Sequence, residues 1–343
     1  MLGGNSKTPE LLPADRPREV VLRASDSTDP AFGFASLDAL PIKYLLENCV
    51  ICLDKVAGPT SHEVATWVKR VLNCDRVGHG GTLDPGVTGI LPLGIGNATK
   101  AMQALLLAGK EYVCVMELHA AASEDQVREV MGQFVGRIYQ KPPLKSSVKR
   151  TLRIREIYYI TIIEMTGKLV LFHVGCQAGT YVRKLCFDIG EALGTGASMK
   201  ELRRTRVGSF REDEHLCTLH DLKDAYQFWI EDGEETELRR YLLPVEFALS
   251  HLPVMTIRDS AVDAICHGAS LAANGVVSLS TGIKKGDLVA VKTIKGEAVA
   301  IGKSNDTTEK IVKAGSGIVA VVDRVLMERG RYPPMWKKRP PSE

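Results

Sequence analysis

The spacing of apolar and polar residues along this chain changes from block to block, and each change marks an element. CVICLDKV (Cys49 to Val56) is a short unbroken apolar run of strand length. After a turn at Gly58-Pro59, Thr60 and Glu63 form a capping-box pair, and VATWVKRVLN behind them places apolar residues at helical spacing. A glycine-rich stretch from Gly78 to Gly96 follows, then a helix near Ala98 to Ala108 and a strand from Glu111 to His119. Ser123 and Gln126 make a second capping box that opens the helix DQVREVMGQFVG. IYYITIIEM and LVLFHVGCQ read as two hairpin strands, and TYVRKLCFDIGEALG as the helix after them.

Composition shifts frame these elements. Residues 1 to about 40 carry Pro9, Pro13, Pro17 and Pro30 and predict an extended arm, with REVVLRA (Arg18 to Ala24) as its one strand-like piece. The acidic EDGEETE (Glu231 to Glu237), with Pro244 and Pro253, reads as a domain boundary. Beyond Leu252 the chain becomes short β-rich pieces separated by Gly275, Gly282, Gly286 and Gly296, which suits a small β-barrel or partly open sandwich. The tail after Val325 holds Arg329, Arg331, Lys337, Lys338 and Arg339 among prolines and predicts flexible chain.

At 343 residues there is room for one sizeable domain and a smaller one, and 45% hydrophobic with 25% charged residues is ordinary for a folded protein. No apolar run approaches the ~20 residues of a membrane span. Eight scattered cysteines without a recognisable signal peptide predict free thiols and a cytoplasmic location. Cys49 and Cys52 form a C-x-x-C, but strand residues three apart point to opposite faces and no second pair follows at zinc-ribbon spacing, so no metal site is expected.

Asp84 is the one carboxylate within Gly78 to Gly96, among seven glycines. Asp84-Pro85 can be an ordinary turn. Alternatively the glycines let another backbone approach a functional carboxylate, with His79 as a second polar group. No Gly-Lys-Ser/Thr closes a phosphate loop, and Gly78-His79-Gly80-Gly81 departs from a dinucleotide fingerprint. A net charge of +3 does not by itself imply a polyanion partner. Its distribution does more. KPPLKSSVKRTLRIR (Lys141 to Arg155) has six basic residues and no acid, while KELRRTRVGSFR adds Lys200, Arg203, Arg204, Arg206 and Arg211 against Glu201. Charge runs are usually solvated faces, yet two basic clusters flanking one hairpin point to a nucleic-acid partner.

Four motifs in order carry a resemblance. Asp84 in GHGGTLDPGVTG, Tyr112 in GKEYVCVMELH, Arg183 in GTYVRKLCFDIG and Leu202 in LRRTRVGSF resemble the TruB-type pseudouridine synthases. The opening CVICLDKVAGPTSHEVATWVKRVL, the basic KPPLKSSVKRTLRIREIYYI and the C-terminal β unit narrow it to the dyskerin-like H/ACA guide-RNA enzymes, which end in a PUA domain. The resemblance spans residues 42 to about 330, and the absence of a long Lys/Glu-rich tail fits the archaeal form.

The resemblance implies an α+β fold with a mixed or antiparallel central sheet and flanking helices over 41–250, a PUA domain over 251–328 and a basic tail over 329–343. It implies isomerisation of uridine to pseudouridine in RNA without a cofactor, with Asp84 as nucleophile and Arg183 keeping it ionised even when buried. Tyr112 would stack on the target base and help remove its C5 proton, and Leu202 would form the apolar wall beneath it. The target nucleotide would be flipped out, with His79 filling its place. Lys145, Lys149 and Arg150 would contact phosphates from a mobile loop, and His267-Gly268-Ala269 to Val276 would hold the guide RNA's ACA or a tRNA acceptor end. Implied partners are tRNA, rRNA and guide RNA, Nop-type and Gar-type proteins, and a kink-turn-binding protein recruited through the guide RNA. The chain departs from the family pattern at Val56 (usually Pro), Ser147 (Ala) and Ser198 (His), none of them at the implied nucleophile. Two alternatives are a protein-only synthase acting on the tRNA T loop, and a non-catalytic RNA scaffold.

Overall fold

The computed structural model describes residues 11–141 and 151–335. The proline-rich arm is docked rather than free. A 3₁₀ turn at Pro13–Asp15 buries Leu12 completely, and β1 (Val20–Leu22) pairs antiparallel with a C-terminal strand, Val21 opposite Leu279. Prolines excluded helix from the sequence reading, but the partners that fix the arm lie some 200 residues away and leave no local signal.

The large sheet contains β2 (Cys49–Lys55), β3 (Val77–His79), β4 (Thr88–Ile95), β5 (Lys110–Leu118), β6 (Gly136–Gln140), β7 (Arg153–Thr166), β8 (Leu169–Cys176), β9 (Ala197–Val207), β10 (Phe210–Arg211), β11 (Leu216–Cys217) and β12 (Leu243–Pro244). Its path is β11-β2-β4-β9-β5-β8-β7-β6, with β3, β10 and β12 paired alongside. Most pairings are antiparallel, but β4 runs parallel to β9 and β11 to β2, so the sheet is mixed. Its helices are α1 (Ile42–Asn48), α2 (Ser61–Val71), α3 (Met102–Leu107), α4 (Glu124–Gln133), α5 (Val182–Leu193), α6 (Leu219–Asp232) and α7 (Thr236–Tyr241). Both expected capping boxes are present, Thr60 with Glu63 and Ser123 with Gln126; a third, Thr218 with Asp221, opens α6.

Gly78 to Gly96 is half strand rather than loop, because TGILPLGI is apolar enough to run as the central strand β4. Its glycines do serve close approach, but by the chain's own backbone. A Cβ on Gly89 would lie 2.2 Å from the Arg204 carbonyl oxygen on β9, and one on Gly96 would lie 1.9 Å from that of Glu47. Both also have positive φ, so neither position accepts a side chain without strain.

The acidic EDGEETE spans the end of α6 and the start of α7, within the large unit, while Pro244 and Pro253, the other marks of the expected boundary, bracket the step from β12 to the next strand. From there β13 (Val254–Ile257), β14 (Leu271–Ala272), β15 (Val276–Ser280), β16 (Leu288–Thr293), β17 (Ala298–Ser304) and β18 (Ile318–Val325) form the second sheet with β1, in the order β1-β15-β13-β16-β17-β18-β14. Turn glycines 282, 286 and 296 have positive φ, as turns between such strands require. Helices α8 (Asp259–Cys266) and α9 (Thr308–Lys313) add to its core. The two sheets share an apolar layer, in which Val50, Ile90, Leu105 and Phe210 cluster with Ala290, Ala298, Ile301 and Leu326. The tail is anchored at its start. The Arg331 guanidinium lies 4.0 Å from the Phe34 ring centroid and 4.9 Å from that of Tyr44, and Tyr332 is buried. Lys337, Lys338 and Arg339 lie outside the described residues.

Cys49 and Cys52 project into different cores, which is why this pair does not converge on one ion. Among the described residues no helix is long and apolar enough to cross a membrane.

Candidate active site

Asp84 sits in the turn between β3 and β4, and most of the backbone carbonyls around it are tied down. Lys55, 1% exposed at the end of β2, donates its Nζ protons to the carbonyls of Val56 (2.9 Å), Pro85 (3.0 Å) and Val87 (2.9 Å). From the other side Arg204, also 1% exposed, donates Nη2 to Gly81 O (3.0 Å), Nη1 to Thr82 O (3.4 Å) and Nε to Ile90 O (2.8 Å). Ser61, at the start of α2, accepts from Leu83 N–H (2.9 Å) and donates to Leu83 O (3.3 Å). The Val87 N–H closes the turn on Asp84 O at 3.0 Å. Gly58 N–H reaches Pro85 O at 2.9 Å, so Val56 in place of the family's proline leaves that contact intact. The carboxylate is therefore presented from a rigid frame.

The frame opens on a cleft of about 670 Å³ in which Asp84, Tyr112, Arg183 and Leu202 converge. Arg183, at the start of α5, places Nη2 3.3 Å from Asp84 Oδ2. Their side chains are 62% and 65% exposed, so the expected burial of Asp84 is corrected: this is a solvated pair at the rim, beside open space into which a Cβ on Gly86 would project without meeting any atom within 4 Å. Tyr112 on β5 is buried, and Leu202 on β9 is half-buried in the same apolar cluster. Burial pushes the Tyr112 phenol up, opposed by the Arg204 guanidinium against its hydroxyl. Burial likewise pulls the Lys110 amine down to about 8, with Arg204 adding to it, and the Lys55 amine down as well. Lys110 donates to the carbonyls of Leu105, Leu106 and Ala108.

Other expected residues lie elsewhere. His79 ends β3 and is half-buried, outside the cleft lining; among the described residues its Nδ1 has no hydrogen-bond partner, and burial, then Arg204, lower its proton affinity. Lys145, Lys149, Arg150 and the departure at Ser147 fall outside the described residues. His267, Gly268 and Ala269 follow α8, with Gly268 at φ 88° and His267 Nδ1 2.8 Å from Asp263 O.

The second basic cluster is corrected. Arg203 pairs with Asp54 and Glu212, Lys200 with Glu117, and Arg206 and Arg211 both with Asp15, while Arg204 is internal. Its acids come from distant segments, so counting charge locally overstated a surface for RNA. Lys55, Lys110 and Arg204 were not singled out as site residues. The one signal was a lysine or arginine inside a strand that is otherwise apolar.

Comparison with known proteins identifies the family. The model for the TruB family pseudouridylate synthase N-terminal domain matches residues 69–182, and that for the tRNA pseudouridylate synthase B C-terminal domain matches 183–250. The DKCLD domain matches 6–65 and the PUA domain 253–326. A probable tRNA pseudouridine synthase B of Methanopyrus kandleri is 54% identical over 97% of this chain and 98% of its own, and one of Pyrococcus abyssi is 53% identical over 95% and 98%. Among solved structures, a chain from a Cbf5-Nop10-Gar1 complex superposes with a TM-score of 0.92 at 51% identity, covering 95% of this chain and 99% of that one. A chain from an H/ACA ribonucleoprotein bound to a substrate RNA containing 2′-deoxyuridine gives 0.89 at 49%, covering 95% and 100%.

Proposed function

The chain belongs to the TruB family of pseudouridine synthases, on its archaeal Cbf5-like side, and from that premise we propose that it isomerises uridine to pseudouridine in RNA as the catalytic subunit of an H/ACA guide ribonucleoprotein. The observation that carries this is the convergence of Asp84, Tyr112, Arg183 and Leu202 on one cleft, with Asp84 held out by a frame of buried cations. The reaction breaks the bond from ribose C1′ to N1 of the base and remakes it from C1′ to C5. Asp84 acts as the nucleophile, and Arg183 aligns its carboxylate. Tyr112 lies under the base and takes the C5 proton, and Leu202 supplies the apolar contact that keeps the ring in plane. None of these steps needs redox chemistry or a cofactor.

A uridine within a stack cannot reach Asp84 across the rim, so the target enters flipped out, with His79 packing into the gap. Small proteins of the Nop10 and Gar1 kind accompany the chain, and a kink-turn-binding protein joins through the guide RNA. The PUA domain, through His267, Gly268 and Ala269, grips an unpaired RNA end. Eight free thiols favour a reducing compartment, and the cytoplasm is the one proposed here.

The curated relatives are named for tRNA modification, which favours a second mode in which the chain alone acts on tRNA. Pseudouridine mapping on tRNA and on a guide-matched target, with and without guide RNA and partner proteins, separates the modes. Modification of the target only when guide is present supports the ribonucleoprotein. Equal modification of both RNAs by the bare chain refutes it, and none under any condition refutes the enzyme.

A further inference from the structure

Arg204 is the largest side chain among the most deeply buried residues. Its guanidinium stays charged at any ordinary pH, and burying such a charge without a counter-ion is costly. Among the described residues no carboxylate pairs with it, because the acids of this region are taken elsewhere: Asp84 by Arg183, Asp54 by Arg203, Asp15 by Arg206 and Arg211. Three backbone carbonyls satisfy part of the guanidinium. The remaining neighbour is Tyr112, directly opposite Arg204 across the β5–β9 ladder and lining the same cleft. Lys110 also lines the cleft and likewise pairs with no carboxylate. Arg204 and Lys110 therefore put two buried cations on the cleft lining; of its described acidic groups, Asp84 is exposed and paired with Arg183, and the Tyr112 phenol, not that of Tyr181, is the one opposite Arg204 in the ladder. Tyr158 supplies a comparison within the same chain: it too is buried, the guanidinium that acts on it is that of the exposed Arg16, and its phenol is pushed up to about 12.

We propose that Arg204 is a positioning residue for proton abstraction, holding the Tyr112 oxygen beneath the base and stabilising its phenolate. This rests on the reading of Tyr112 as the group that faces C5. After the base has been rejoined through C5, the C5–H bond breaks and its proton passes to the phenolate oxygen. The electron pair left behind forms the C5=C6 double bond, the C6=N1 pair moves onto N1, and N1 takes a proton from water. The phenol then returns its proton to solvent, which leaves the chain as it began. Arg204 transfers nothing; its charge lowers the cost of having the phenolate present. The carbonyl bonds alone would make it a brace for the Asp84 turn, and a brace would not tune a phenol.

The test places 3-fluorotyrosine, a more acidic phenol, at position 112 or at position 158 of the full chain, and follows its ionisation by fluorine NMR without RNA. The probe at 112 is expected to titrate at lower pH than at 158. Arg204→Gln should raise the midpoint at 112 by about one pH unit or more, while Arg204→Lys keeps a cation and stays near the wild type. In single turnover at neutral pH, Arg204→Gln should slow pseudouridine formation ~10-fold or more with RNA affinity retained, and fluorotyrosine at 112 should recover part of that loss. An unmoved midpoint in Arg204→Gln overturns the proposal. If that variant does not fold, the comparison of 112 with 158 decides, and equal midpoints overturn it. Tyr112→Phe separates the underlying reading: full activity there removes Tyr112 from the chemistry whatever the titrations show.

Discussion

Replacing Lys55 by Met removes the ammonium while nearly keeping the volume of its stem. Three charge-assisted hydrogen bonds disappear, each worth about 1.5–3 kcal/mol. The Val56 carbonyl lies beside an exposed side chain where water can substitute, leaving the Pro85 and Val87 carbonyls as the main loss. Part of that loss is returned, because the ammonium no longer has to be buried, an effect seen in its lowered proton affinity. A net destabilisation of about 3 kcal/mol follows, or roughly 6–12 °C in melting temperature at the size of the large unit. Pro85 and Val87 flank Asp84 on its C-terminal side, so the turn also loses one of its three side-chain anchors, Arg204 and Ser61 remaining. Urea unfolding gives the stability term, and single-turnover pseudouridine formation, at a temperature where both proteins are folded, gives the positioning term. The rate is expected to drop at least 10-fold beyond any loss of folded protein, since small misplacements of a reacting group are costly. A folded Lys55→Met chain with wild-type turnover would refute the idea that this frame positions Asp84.

Four further outcomes are expected. Asp84→Asn should abolish pseudouridine formation with RNA affinity and melting temperature unchanged, and Arg183→Met should lose activity while costing under about 1 kcal/mol, because the pair is solvated; filter binding and calorimetry check both. Asp15→Ala removes the closer of the two carboxylates on the buried Arg206, leaving Glu111 at 3.6 Å, and should cost about 1.5–3 kcal/mol and free the arm for limited proteolysis. The Asp15 carboxyl is held below its usual range by its bonds to Arg206, so this contribution is present above an unfolded value near ~3.9 and lost as pH falls through the folded one. His251 is buried and held neutral, its proton affinity pulled down to about 4. Between an unfolded value of ~6.5 and that figure only the unfolded chain takes the proton, so stability should fall over this window by up to about 3 kcal/mol, and His251→Gln should flatten the fall in pH-dependent urea titrations.

The elements most legible in the sequence were those whose signals are local. Thr60 with Glu63, and Ser123 with Gln126, announced helices that form where expected. Thr218 with Asp221 was missed because Asp is outside the usual Glu/Gln template, and α8 because eight residues show too little periodicity. The four cleft residues came from motif resemblance, since nothing near Asp84 in sequence indicates that Tyr112 and Arg183 reach it. What was not legible depends on distant partners: Asp15 neutralising Arg206, Arg331 seated on Phe34 and Tyr44, and Lys55 and Arg204 spending their charges on carbonyls. A buried cation and a surface cation look alike until the chain that covers one of them is in place.

The apolar layer joining the two sheets through Ile90, Leu105, Ile301 and Leu326 makes the molecule a caliper. Its jaws cannot slide, because parting them would expose a shared core rather than stretch a linker. Under the proposed function, an RNA end held beside His267 would lie at a span from Asp84 set by the protein, so the length of RNA between grip and target becomes a selection rule of its own, beside any pairing with a guide.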